Sequence, residues 1–206
     1  MTGIEDPLTL SGTALAGAIR EGRTTSVAVV RAHLDRLDAV NPAINAVVAQ
    51  RRDEALAEAE AADHRLAELG ADVVPPLHGV PCTIKECFSV EGMPWTAGFA
   101  PRVGRVGASD AVAVGRLREA GAIVLGVTNV SELCMWLETS NRVYGRTNNP
   151  YDVRRMVGGS SGGEGASVAA AIAPFGLGAD VGGSIRMPAF FNGVFGHKPS
   201  GGLIPN

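Results

Sequence analysis

Lysine is nearly missing from this 206-residue chain: of its 18 basic residues 16 are arginine, and only Lys85 and Lys198 are lysine. Cysteine is scarce as well, with Cys82, Cys87 and Cys134 the whole supply. Three unevenly placed cysteines are too few for a disulfide framework, so free thiols in a reducing compartment are the plain reading. Charged residues make up 19% of the chain and leave a net charge of −3 with no basic run, which argues against a nucleic-acid footprint. No stretch reaches the ~18 consecutive apolar residues that a membrane span needs. The opening MTGIEDPLTL has no basic segment leading into an apolar one, so no secretory leader is indicated. None of the four histidines pairs with Cys or His at metal-ligand spacing, and no metal is expected. These absences describe a soluble, cytoplasmic protein.

What is present is apolar residues, at 46%, and glycine, at 27. Thirteen of those glycines fall in residues 157–206, without a Gly-X-Y period and between apolar runs. Collagen and a disordered linker are therefore excluded. Glycine used this densely in a folded segment means left-handed backbone, or backbone in close approach to something.

The first third reads as helices over 8–20, 26–39 and 51–69, with Asn41-Pro42 ending the second and Gly70 the third. His33 and His64 sit in charged helical stretches and read as solvated, and His78 lies in a loop. After Pro75-Pro76, short apolar runs alternate with helical ones: 80–84, a helix over 109–120 capped by Ser109 with Asp110 favouring its dipole, 122–127, a helix over 166–173, and 175–178. That alternation implies an α/β fold with a largely parallel sheet flanked by helices. The expected organisation is one domain, with an N-terminal helical region, 1–74, and an α/β core, 75–206. Residues 201–206 read as a loop.

Arginine keeps its proton in a protein, whereas a desolvated lysine can give it up. Lys85 ends the apolar run Val80-Pro81-Cys82-Thr83-Ile84 and is thereby a candidate for amine chemistry; Lys198, beside His197, reads as a surface residue. The Gly-Ser stretch from Gly158 to Gly165 lacks the lysine of a phosphate-binding loop. Gly158 to Gly162 fits the nucleophile-elbow pattern, with Asp180 and His197 downstream, yet the preceding Asp152–Val157 is too charged for the buried strand an elbow caps. A reading that uses more residues makes Ser184 a nucleophile at the end of Val181-Gly182-Gly183, whose backbone amides could hold an oxyanion. Its base would be Lys85, acting as a neutral amine, with Ser160 passing the proton between them. Cys82 and Cys87 read as small buried fillers around Lys85, Trp95 and Trp136 as core or pocket wall, and Arg142 and Arg146 as solvated.

The segments GGSSGGEGA and GADVGGSIRMPAFFNGVFGHKP, with the upstream Thr83-Ile84-Lys85-Glu86 and Thr128–Leu133, resemble the motifs of the amidase signature family. Within it, Met187–Gly193 and Gly145–Tyr151 look closest to the fatty acid amide hydrolase 2 branch. The resemblance implies an amide hydrolase with a Ser–cis-Ser–Lys triad. Ser184 is the nucleophile, Ser160 the bridging serine held through a cis peptide bond, and Lys85 the base and later acid. Val181, Gly182, Gly183 and the Ser184 amide match the oxyanion hole, Cys134 and Met135 the acyl channel, and Ser161, Asp180 and Arg186 residues that support the site. No cofactor is implied. The expected partner is a small-molecule amide, with a homodimer left open. Family members are longer, so this chain reads as an N-terminal part of such an enzyme. The alternatives are the A-type subunit of a tRNA-dependent glutamine amidotransferase, and a non-catalytic fragment.

Overall fold

A computed structural model describes residues 6–204; Met1–Glu5 of the opening stretch and Pro205-Asn206 of the loop-like tail lie outside the described residues. After a 3₁₀ turn at Pro7–Thr9, helix α1 spans Gly12–Arg20, capped by Ser11, whose hydroxyl accepts from Ala14 N at 3.2 Å. Helix α2, Ser26–Ile44, is capped by the Thr25 hydroxyl in the same way. Strand β1, Val47–Gln50, then precedes α3, Arg52–Leu69. Strands β2, Pro81–Lys85, and β3, Ile123–Thr128, enclose helix α4, Val112–Glu119. A two-residue hairpin, β4 (Ser140–Asn141) and β5 (Gly145–Arg146), leads to helix α5, Gly162–Ala169, strand β6, Gly176–Leu177, and helix α6, Arg186–Asn192.

The main sheet runs β1-β3-β2-β6. Strands β2 and β3 pair in parallel, as do β2 and β6, while β1 joins the edge antiparallel. Every residue of β2 and β3 is buried, as expected for strands covered on both faces. Ile123 and Leu125 face α2 and α3 through Val30, Leu34, Ala55 and Ala59. Cys82, Ile84, Val124 and Val127 face the other way, against Val114 of α4, Val90 and Met93. The fold is the expected mixed, mostly parallel sheet between helices.

Several local expectations need correction. Helix α2 passes through Pro42 and stops at Ile44, where Asn45 takes the left-handed conformation. Proline removes one intrahelical hydrogen bond, and the Asn41 side chain fixes the exit instead, accepting from Ala46 N and Val47 N at 2.9 Å each. Strand β1 falls inside the stretch read as purely helical, and four residues are too short to show a period. Ser109 caps nothing: α4 starts behind Ala111, and Asp110 instead accepts from Glu91 N at 2.8 Å and pairs with Arg118. Helix α5 begins four residues earlier than apolarity suggested, inside the glycine cluster. His33 is buried, with its Nδ1 3.1 Å from Ala171 O, and desolvation lowers its pKa. Among the described residues, no helix is long and apolar enough to cross a membrane.

Candidate active site

The fully buried strand β2 carries Lys85 at its C-terminal end, where the side chain has no solvent exposure. Lys85 Nζ donates to Ser160 Oγ at 2.7 Å across 75 residues of sequence. Ser160, also fully buried, sits in the loop entering α5, and the Gly159–Ser160 peptide is cis. The loop is threaded through a gap too narrow for side chains. A Cβ on Gly159 would lie 2.7 Å from Ser131 Oγ and 2.8 Å from Trp136 O, and one on Gly163 2.5 Å from both Asn129 N and Asn129 O. The Thr139 hydroxyl clips the two ends together, donating to Gly158 O at 2.8 Å and accepting from Gly162 N at 2.9 Å.

Ser184 arrives from the opposite side of this loop. Its carbonyl accepts from Ser161 N at 3.1 Å, and Ser161 Oγ donates to Ala179 O at 3.2 Å, so the two serine segments are stitched side by side. Among the described residues the Ser184 hydroxyl makes no hydrogen bond; it is the backbones that are joined. Asp180 organises the turn around Ser184. Its covered carboxylate accepts from Gly183 N at 2.8 Å, Ile185 N at 3.0 Å and Arg186 N at 3.1 Å, and from the Arg186 guanidinium. Arg186 beside it holds the Asp180 carboxyl well below the usual carboxylate range. Of the four amides assigned to the oxyanion, that of Gly183 is therefore engaged by Asp180. Val181 projects into solvent at 98% exposure.

The Glu132–Cys134 turn is tied to the loop of Ser160 through Ser131 N, which donates to Ser160 O at 3.3 Å, and Met135 directly after it is 78% exposed. Cys134 is half-buried, and its N–H donates to Ser131 O at 2.8 Å. Of the residues flanking Lys85, Cys82 is buried as expected, but Cys87 is only partly so. Trp136 is exposed rather than part of the core.

Two carboxylates near Lys85 were not singled out from the sequence. Glu164, in the first turn of α5, accepts from Thr83 Oγ1 at 2.7 Å and Thr128 Oγ1 at 2.6 Å. Desolvation pushes its pKa up to about 7, against the pull of those two hydroxyls and of Lys85. Glu86 is buried too, and one of its oxygens accepts from Thr96 N and Oγ1, both at 2.6 Å, and from the Tyr144 hydroxyl at 2.7 Å. A lone acid within a Gly/Ala helix start, and one directly after the lysine, were the available signals.

A family profile described as Amidase matches residues 28–206. Fatty-acid amide hydrolase 2 of Homo sapiens is 52% identical over 207 residues, which cover 98% of this chain and 39% of that protein. The A-type subunit of the glutamyl-tRNA(Gln) amidotransferase of Acidothermus cellulolyticus is 44% identical over 190 residues, 92% of this chain and 37% of that one. Among solved structures, the peptide amidase of Stenotrophomonas maltophilia superposes with a TM-score of 0.88 at 33% identity, over 96% of this chain and 41% of its own. The chain thus spans about two-fifths of the length of the relatives it matches.

Proposed function

The chain belongs to the amidase family, and from that premise we propose that it carries the catalytic half of an amide hydrolase working through a serine acyl-enzyme. The observation that carries this reading is the 2.7 Å contact of a fully buried Lys85 with Ser160, in a chain with one other lysine. Acting as base, the Lys85 amine takes a proton from Ser160 while Ser160 takes one from Ser184. Ser184 Oγ then attacks the carbonyl carbon of an acyl or other small amide. Backbone amides of 181–184 hold the oxyanion, with Gly183 free to contribute only by leaving Asp180. Returning through Ser160, the proton goes to the departing amine, and water releases the acid from Ser184. In this reading the N-terminal region, up to residue 74, supports the sheet with helices and strand β1, and the region from residue 75 onward carries the site. Three free thiols support a cytoplasmic setting.

A fluorophosphonate probe tests this. The expected result is labelling confined to Ser184, lost in Ser184→Ala and slowed by roughly 10²-fold or more in Lys85→Ala. Unchanged labelling in Ser184→Ala sinks the reading. The 44% identity to the amidotransferase protein favours a second reading, an amidase component of a larger assembly; co-purification with partner proteins decides between the two. A chain that stays inert while a longer version hydrolyses anilides would mark it as a non-catalytic part.

A further inference from the structure

Three polar side chains share one face of the otherwise apolar strands β2 and β3. Thr83 and Lys85, two residues apart, stand on the same face of β2, and the parallel register sets Thr128 of β3 beside Lys85. All three are fully buried. Helix α5 packs over this face and brings one carboxyl group onto it. Glu164 Oε2 accepts from Thr83 Oγ1 at 2.7 Å and Oε1 from Thr128 Oγ1 at 2.6 Å, so each oxygen holds a different strand. A third strand makes room for it: a Cβ on Gly176 of β6, the partner of Thr83, would collide with Glu164 Oε2. Ser167 Oγ, one turn along α5, lies 3.4 Å from Thr83 Oγ1.

These contacts close a ring. From Lys85 the chain leads two residues back to Thr83, whose hydroxyl donates to Glu164. Four residues back from Glu164 is Ser160, whose hydroxyl accepts from Lys85 Nζ at 2.7 Å. Thr128 ties the same carboxyl group to the neighbouring strand at the level of Lys85. An apolar side chain would fill this place with less desolvation cost, but it would join neither threonine to α5.

We propose that Glu164 is a positioning residue for the Lys85–Ser160 pair: by gripping Thr83 and Thr128 it holds β2 and β3 against the start of α5, and so keeps the Lys85 amine on the Ser160 hydroxyl. Its consequence for catalysis rests on the acyl-enzyme reading; the placement of Lys85 rests on the hydrogen-bonded ring. Glutamine can take over the grip, its amide oxygen accepting from one threonine and its amide nitrogen donating to the other, whose hydroxyl then accepts. Methionine, unbranched and adaptable in a core, fills the space and grips neither. Thr83→Val opens the ring from the strand side.

With only two lysines in the chain, isotopic labelling of lysine gives an NMR spectrum of two side-chain signals, and Lys198→Arg identifies that of Lys85. The 206-residue chain and its Glu164→Gln, Glu164→Met and Thr83→Val variants are compared in that spectrum and in the rate at which a fluorophosphonate labels Ser184. In Glu164→Met and Thr83→Val the Lys85 signal should move toward that of the exposed Lys198, and labelling should slow by roughly tenfold or more. Glu164→Gln should keep the Lys85 signal in place and recover the labelling rate to within about threefold, a rescue that space-filling alone would not give. Should Glu164→Met not fold, Thr83→Val, which leaves the helix side intact, carries the comparison. An unmoved Lys85 signal in Glu164→Met or Thr83→Val, or a Glu164→Gln chain as slow as Glu164→Met, overturns the assignment. If the parent chain leaves Ser184 unlabelled, the acyl-enzyme reading fails, while the Lys85 signal still decides the positioning.

Discussion

At the scale of single residues, Glu164 is a buried carboxyl within the field of Lys85. Its carboxyl group is buried, satisfied among the described residues by the Thr83 and Thr128 hydroxyls, and desolvation pushes its pKa up to about 7 from near 4.5. A carboxyl whose pKa is raised on folding is a native-state proton binder. It costs nothing below the unfolded pKa, and stability falls as pH rises from there to the folded pKa, then levels off. The difference of roughly 2.5 units corresponds to on the order of 3 kcal/mol lost between pH 4.5 and 7. Glu164→Gln should remove most of this slope, as urea unfolding at pH 5 and pH 8 would reveal; an unaltered slope would place the pH dependence elsewhere. Lys85 was legible in the sequence because lysine is so rare there, and Ser160 and Ser184 because glycine surrounds them. Glu164 was not, because its two partners lie 81 and 36 residues away and nothing local announces them.

At the scale of elements, the glycine-rich start of α5 is shaped by what crosses it. Gly163 packs against the Asn129 backbone at the end of β3, and its own N–H donates to Asn129 O at 3.3 Å. Backbone cannot retreat as a flexible side chain can, so Gly163→Ala should cost roughly 3 kcal/mol or more, through overpacking. Gly182, by contrast, has nothing within 4 Å of an added Cβ. Gly182→Ala should leave the melting temperature nearly unchanged. Thermal melts of the two variants side by side check this; equal destabilisation would mean that the crossing of α5 over β3 is not what fixes these glycines. Composition located the cluster correctly, but the helix start was misplaced because glycine suppresses the apolar period by which helices are found. Similarly, Ser109 and Asp110 have cap chemistry, yet they hold the 89–91 loop: Ser89 Oγ donates to Ser109 O at 2.6 Å. Local propensity names the partners that a residue could take, and tertiary packing chooses among them.

At the scale of the whole molecule, the segments bearing the site also bear its most exposed apolar side chains. Trp136 is 71% exposed on the turn whose carbonyl receives the Ser131 hydroxyl, Val181 precedes Gly182 and Gly183, and Phe190 on α6 is 83% exposed. Phe195 follows α6 and is fully open. Just ahead of the Ser184 segment, β6 pairs only with β2 and is two residues long, which leaves an edge of the sheet unpaired among the described residues. Apolar surface gathered in this way drives association, and an unpaired edge offers it a template. The 206-residue chain on its own should therefore self-associate in a concentration-dependent way and brighten an anilinonaphthalene sulfonate dye. Phe190→Ser and Phe195→Ser together should weaken both effects, since neither residue belongs to the buried core. Sedimentation velocity across a concentration series, with dye fluorescence alongside, measures this. A monomer at every concentration that leaves the dye dark would mean that these side chains shelter one another in solution, and a homodimer would lose its physical basis.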